Sequence, residues 1–253
     1  MLTLIGLGLW NEQDITHAGM SAIKNADLLF FENYTSFWER TPEELSSITR
    51  KKILPAEREL VEQHAEEKLI LPAKEKNVVL LIPGDPLLAT THIDLLNRCR
   101  THNVQAAVIH NASVVNAISR TGLQPYKFGK IASIPFSQGE YEPDSPYTTL
   151  LDNYHNNAHT LFLLDLRPRE KKWMSVADGL RILQRLEIRN GKGLLKDSSF
   201  VVGCARLGSD TQEIVVGTLK KVLHHDFGLP PHCIIIPQKL HFVEEEFLER
   251  FRK

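Results

Sequence analysis

The residues with the most chemical content stand in a short turn. Pro83-Gly84-Asp85-Pro86-Leu87 follows the five apolar residues Val78–Ile82 directly. In an open α/β sheet, ligands sit outside the carboxyl ends of strands. Two prolines stiffen this turn, Gly84 permits an unusual dihedral, and Asp85 offers a fixed carboxylate acceptor. The bland alternative is a plain Pro-Gly turn. Ala89-Thr90-Thr91-His92 then opens a helix whose first amide groups are free to donate. A second turn, Gly6-Leu7-Gly8-Leu9, closes the first apolar run and lets backbone approach a ligand closely. Asn11 stands where a dinucleotide fingerprint needs its third glycine, so a phosphate cradle is poorly supported. A plain turn and a ligand-facing turn both remain open there.

Other reactive residue types lack a working arrangement. The eleven histidines include His224-His225 but no His-Glu-x-x-His or His-x-His spacing, which argues against a metal site. Gly191-Lys192-Gly193 has no Ser or Thr after its lysine, and Ser113 and Ser209 lack the Gly-x-Ser-x-Gly setting of a hydrolase. Arg167, Arg169, Lys171 and Lys172 form a basic cluster just after a strand. Most such clusters are merely solvated, but this position also suits Arg167 or Arg169 to pair with a substrate carboxylate.

The elements that must position these residues alternate between strand and helix. Leu2–Gly6, Leu28–Phe31, Lys52–Leu54, Val78–Ile82 and Val104–Ile109 read as strands. Helices are expected after the capping residues Asp14-Ile15-Thr16, from Thr41-Pro42, over Glu57–Lys76, and through Leu95. This alternation predicts a mainly parallel sheet with helices on both faces. In the second half, strands at Gly129–Ile134, Thr160–Leu164, Phe200–Ala205, Ile214–Val216 and Cys233–Ile236 lie close enough for hairpins and a mixed sheet. Helices there are expected near Tyr147–Asn157, Ser175–Leu186 and Phe242–Phe251. The fold class is therefore α/β in two domains, 1–111 and 112–253.

Composition narrows the function classes. The chain has 253 residues, 30 basic against 31 acidic, which gives no support for direct nucleic-acid binding. Cys99, Cys204 and Cys233 are widely spaced and suit a reducing compartment. No apolar run approaches membrane-spanning length, and the N-terminus lacks a signal-peptide pattern, so a cytoplasmic protein without a membrane partner is expected.

Several ordered blocks together resemble the diphthine branch of the tetrapyrrole-methylase-like family of S-adenosylmethionine-dependent methyltransferases. They are Ile5-Gly6-Leu7-Gly8-Leu9 with Asp14-Ile15-Thr16; Glu32 with Tyr34-Thr35-Ser36; and Pro83-Gly84-Asp85-Pro86-Leu87 with Ala89-Thr90-Thr91-His92. Thr121-Gly122-Leu123 with Tyr126-Lys127-Phe128-Gly129-Lys130 follows, then Asp226-Phe227-Gly228 through Pro230-Pro231-His232 to Leu240-His241. The compact length resembles the archaeal form, and the absent Gly-Pro-Gly ending of the first loop favours the diphthine branch over tetrapyrrole methylases.

The resemblance implies two α/β domains with S-adenosylmethionine in the cleft between them, no metal, and a homodimer. It implies repeated methylation of an amino group, to the trimethyl product, on a 3-carboxy-3-aminopropyl-histidine of translation elongation factor 2. Carried over by position, the cofactor contacts are Leu9, Asp85, Leu88, Ser113, Val114, Leu164, Leu207 and His232, with Leu207 larger than relatives often have. No residue must be the base that deprotonates the amine; His110, Asp165 and bulk water are candidates. The competing readings are a precorrin-type methylase, a non-catalytic nucleotide-holding module of the translation machinery and, below them, a nicotinamide dehydrogenase with acidic Glu32.

Overall fold

The computed structural model describes residues 1–137, 139 and 142–252, without the side chain of Arg169. The chain divides into two compact units, Met1–Ala117 and Ile118–Lys253. The division falls a little beyond the Asn111/Ala112 boundary read from sequence, because a short helix after β5 still belongs to the first unit.

Unit 1 runs β1 (Leu2–Gly6), α1 (His17–Lys24), β2 (Leu28–Glu32), α2 (Pro42–Thr49), β3 (Ile53–Ala56), α3 (Arg58–Glu62), β4 (Val78–Ile82), α4 (Ile93–Thr101), β5 (Ala106–Ile109) and α5 (Val114–Ala117). All its strand pairs are parallel, in the order β3-β2-β4-β1-β5. Strand alternation sends successive side chains to opposite faces. Val78, Leu80 and Ile82 pack with Val61, Leu69 and Leu95 on one face, while Val79 and Leu81 pack with Ile23 and Leu45 on the other. Each such fully buried aliphatic side chain contributes about 1.5–3 kcal/mol. Helices therefore cover both faces, as the continuous apolar runs require.

Local signals explain the boundaries. The Thr16 side chain accepts from the Gly19 amide to start α1, and Thr41 with Glu44 forms a reciprocal capping box ahead of Pro42. The single helix expected over Glu57–Lys76 is instead broken into α3, a π-type turn at Glu66–Ile70 and a 3-10 turn at Pro72–Lys74. Its buried residues Val61, Ala65, Leu69 and Ala73 recur every fourth position. That spacing drifts off one face of a regular α-helix, and the wider turn, closed by Leu71 N–H to Glu66 C=O at 2.8 Å, keeps them facing the sheet.

Unit 2 runs β6 (Ala132–Ile134), α6 (Ser145–His155), β7 (Thr160–Leu164), β8 (Leu166–Arg167), β9 (Lys172–Trp173), α7 (Val176–Asn190), β10 (Phe200–Ala205), β11 (Glu213–Thr218), α8 (Leu219–Leu223), β12 (His232–Ile236) and α9 (Phe242–Leu248). Its main sheet, β11-β10-β12-β7-β6, is mixed: β6 pairs parallel to β7 and the other pairs are antiparallel. α7 approaches the sheet at Gly179, where an added Cβ would lie 2.7 Å from Ile234 and 2.8 Å from Leu164. The basic cluster lies on the β8–β9 hairpin, which the sequence reading had not separated from its surroundings. Among the described residues, no helix is long and apolar enough to cross a membrane, and no group of three or more His, Cys, Asp or Glu is placed to hold a metal.

Candidate active site

In unit 1 the parallel order sets the carboxyl ends of β4, β1 and β5 side by side, and their loops are tied together by side chains. Gly8 and Gly84 exchange backbone hydrogen bonds, Gly84 N–H to Gly8 C=O at 2.8 Å and Gly8 N–H to Gly84 C=O at 3.2 Å. Both adopt positive φ, +82° and +75°, the region glycine enters without a Cβ penalty. At Gly6, an added Cβ would lie 2.6 Å from the Gly84 carbonyl oxygen and 2.8 Å from Asn111, so the three loops converge on a bare backbone.

Carboxylates grip the backbone amides of these loops. Asp14 accepts from Leu9 N–H at 3.1 Å and Trp10 N–H at 2.7 Å. Asp85, buried, accepts from Leu87 N–H at 3.0 Å, Asn111 N–H at 3.1 Å and His110 Nδ1 at 2.8 Å. Burial pushes its pKa up, but the donors from Leu87, Asn111 and His110 outweigh burial and hold the carboxyl below its ordinary value. Asn111 completes the network: its Nδ2 donates to the carbonyls of Gly6 and Asp14, both at 2.9 Å, and its Oδ1 accepts from Ala112 N–H at 2.7 Å. Ser113, buried, opens α5, with its Oγ accepting from Val115 N–H at 3.2 Å.

Unit 2 gathers a second set at one edge of its sheet. The antiparallel registers Cys233↔Leu163 and Ala205↔His232 place the end of β7, the end of β10 and the start of β12 together. Leu164, Leu207 and His232 therefore share that edge. Arg206, with a left-handed φ of +49°, organises it. Its guanidinium donates to the carbonyls of Thr211 at 3.1 Å and Phe227 at 2.7 Å, and to that of Leu229. His232 Nε2 donates to the same Leu229 carbonyl at 2.9 Å, which fixes its hydrogen on Nε2. Burial, helped by the Arg206 charge, lowers the His232 pKa against the favourable Leu229 contact.

The tetrapyrrole (corrin/porphyrin) methylase family profile matches residues 1–223. The chain belongs to this family. The diphthine synthase of Methanocaldococcus jannaschii is 40% identical over 252 residues, covering 98% of each chain. An Arabidopsis thaliana protein assigned as a diphthine methyl ester synthase is 39% identical over 273 residues, covering 100% of this chain and 98% of its own. A solved diphthine synthase structure superposes with a TM-score of 0.90 at 34% identity, covering 99% of this chain and 95% of that one. Within the tetrapyrrole methylases the chain groups with the diphthine synthases, and it is a methyltransferase.

Seen as a methylase, unit 1 brings Leu9, Asp85, Leu88, Ser113 and Val114 to its three loops, and unit 2 brings Leu164, Leu207 and His232 to its sheet edge. These loops suit a methyl-donating sulfonium nucleoside. Leu88 is an exposed apolar side chain, and a Cβ added at Gly84 in the same turn would meet only Ser113, at 3.7 Å or beyond. The loop after β1 carries the carboxylates Glu12, ion-paired with Arg40 at 2.9 Å, and Asp14, and the loop after β4 carries Asp85. Negative charge suits a cationic sulfonium and opposes the phosphates of a dinucleotide.

Two candidate bases differ sharply. Asp165 accepts from Phe136 N–H and Leu166 N–H, both at 2.9 Å, so each of its oxygens is committed to backbone. His110 has a largely exposed ring whose Nδ1 meets Asp85, leaving Nε2 as the lone-pair nitrogen. Arg167 lies over the Phe136 ring at 5.1 Å and within 3.7 Å of Glu170; the side chain of Arg169 lies outside the described residues. The sequence reading missed Asn111 and Arg206 as organisers. Both act on backbone atoms far away in sequence, and no local spacing announces that.

Proposed function

We propose that the chain transfers methyl groups from S-adenosylmethionine to the amino nitrogen of a 3-carboxy-3-aminopropyl-histidine in translation elongation factor 2, making the trimethyl product of diphthamide biosynthesis. The observation that carries this reading is the end-to-end match, at 40% identity and 98% coverage of both chains, to a diphthine synthase. The cofactor supplies an already activated methyl group on a positively charged sulfur. The chain's own work is to bind and align, and alignment alone is worth about 7–11 kcal/mol in well-oriented reactions.

In this reading Leu9, Asp85, Leu88, Ser113, Val114, Leu164, Leu207 and His232 hold the cofactor. Asp85 acts chiefly by fixing the loop amides, since three donors already occupy its oxygens. His110, oriented by Asp85, is the better-placed base to take the amine proton before each transfer. The reading includes a cytoplasmic homodimer acting on the elongation factor as protein substrate.

A second reading concerns the product. The Arabidopsis relative is assigned as a methyl ester synthase at nearly the same identity as the archaeal one, so esterification of the substrate carboxylate is the alternative outcome. Labelled S-adenosylmethionine, offered with modified elongation factor 2 and separately with a precorrin-type tetrapyrrole, tests the proposal. Label is expected on the protein only. Label on the tetrapyrrole, or on neither, contradicts it, and base-labile label on the protein identifies the ester.

A further inference from the structure

Beside the loops of unit 1 lies a buried acid–base pair that the proposed chemistry does not use. Glu32, the last residue of β2, and His92, just ahead of α4, are 0% and 1% exposed, with Glu32 Oε2 and His92 Nε2 3.2 Å apart. The contact is at ion-pair distance but is not a hydrogen bond, and neither atom makes one to any other group among the described residues. The other ends of both side chains are committed to backbone. Glu32 Oε1 accepts from Tyr34 N–H at 3.2 Å and Thr35 N–H at 2.8 Å, shaping the loop after β2. His92 Nδ1 meets the Pro86 carbonyl at 3.1 Å. A carbonyl only accepts, so Nδ1 carries a hydrogen; Nε2 faces the carboxylate, and that contact is attractive only with a second proton between Nε2 and Oε2. A continuous link thus runs from the end of β2 through two buried side chains into the Pro-Gly-Asp-Pro turn.

That turn needs such support. Ala89 sits at φ +59°, a left-handed conformation costing a non-glycine residue about 1–2 kcal/mol, and it is an exposed residue with little packing to impose it. The Pro86 carbonyl, three residues earlier, accepts from both Thr90 Oγ1 at 2.6 Å and His92 Nδ1. Of these two donors, only His92 is itself held by a second buried side chain. Residues kept in sparsely populated conformations persist where the surroundings over-determine them. Here the determining contacts converge on the carbonyl next to Asp85.

We propose that Glu32 and His92 are a positioning pair that fixes the Pro83–Leu88 turn in its donor-binding shape, so that affinity for the methyl donor depends on them and the transfer step does not. This rests on the functional reading above, with the turn as part of the cofactor site. Two substitutions separate the two halves of the histidine. In His92→Gln the terminal amide takes the place of Nε2 toward Glu32 and the donor to Pro86 is lost. In His92→Asn the amide takes the place of Nδ1 and that donor is kept.

Calorimetry with S-adenosylhomocysteine is expected to show about tenfold weaker binding for His92→Gln, the loss of one buried hydrogen bond, and about threefold for His92→Asn. Steady-state kinetics should show the same ranking in the KM for S-adenosylmethionine, with kcat at saturating donor within about twofold of wild type. Equal binding by wild type and both variants overturns the inference alone, as does the reverse ranking or a kcat that falls in step with affinity. Wild-type protein that binds no S-adenosylhomocysteine overturns the functional reading and this inference with it. Glu32→Gln, which keeps the acceptor for Tyr34 and Thr35, serves if either histidine variant does not fold. Its expected weakening, through the same contact that His92→Asn removes, is about threefold, and unchanged affinity overturns the proposal.

Discussion

The two units secure their proposed cofactor residues by opposite chemistry. In unit 1, Asp14, Asp85 and Glu32 each accept from two backbone amides of the loops that follow β1, β2, β4 and β5. In unit 2, the Arg206 guanidinium donates to carbonyls on the Thr211 and Phe227–Leu229 segments. The sheets explain the difference. A parallel sheet delivers all its carboxyl ends to one edge, so several loops depart together, and acceptors that gather their free amides hold them in register. The antiparallel part of unit 2 mixes strand ends with a strand start at its edge, and the connecting segments present carbonyls there. A planar, permanently charged donor suits those carbonyls. The two sets of loops therefore respond to different perturbations.

The largest effect is expected at Asn111. Asn111→Ala leaves the Gly6 and Asp14 carbonyls without their donor, at about 1–3 kcal/mol for each buried group. Urea unfolding should show a loss of about 2–5 kcal/mol, and S-adenosylhomocysteine should bind much more weakly. Wild-type stability and affinity in this variant would break the idea that unit 1 is held by cross-loop contacts. Arg206→Lys comes next. It keeps the charge but cannot reach several carbonyls with one planar fork, and a loss of about 2 kcal/mol is expected. If the lysine variant unfolds like wild type, charge alone suffices and the contrast between the units weakens.

The effect that acid removes belongs to the carboxylate network of unit 2. Burial raises the Glu244 pKa, but the amides of Gln124 and His241, with Lys127 and His159, outweigh it and bring it down to about 2. A depressed carboxyl stabilises the fold above its unfolded value and loses that contribution as pH falls through the folded one. Wild type should therefore lose stability from about pH 4.5 toward pH 2, and Glu244→Gln should show a flatter acid limb. Parallel acid limbs for the two proteins would remove Glu244 from that role.

Much of this architecture is legible in the sequence where a signal is local. The apolar runs of β1 and β4, the Thr16 cap and the Thr41-Pro42 start all announce themselves through neighbouring residues. The Pro83–Pro86 turn is legible for the same reason. Features that depend on distant partners are not. The break between Glu62 and Glu66 follows from packing a four-residue repeat on a sheet, and the two-residue strands β8 and β9 are too short to show a period. Asp85 is readable as a carboxylate at a strand end, but its partners at His110 and Asn111 come from another strand's end, 25 and 26 positions on. The link from Glu32 through His92 to Pro86 is invisible for the same reason: each residue is an ordinary member of its own motif, and only the fold joins them.

Mass spectrometry of elongation factor 2, carrying the 3-carboxy-3-aminopropyl group and incubated with the protein and S-adenosylmethionine, tests the central claim most directly. The account expects the modified histidine to gain three methyl groups, all on the amino nitrogen. An unchanged mass on properly modified substrate, with S-adenosylmethionine in excess, would contradict it.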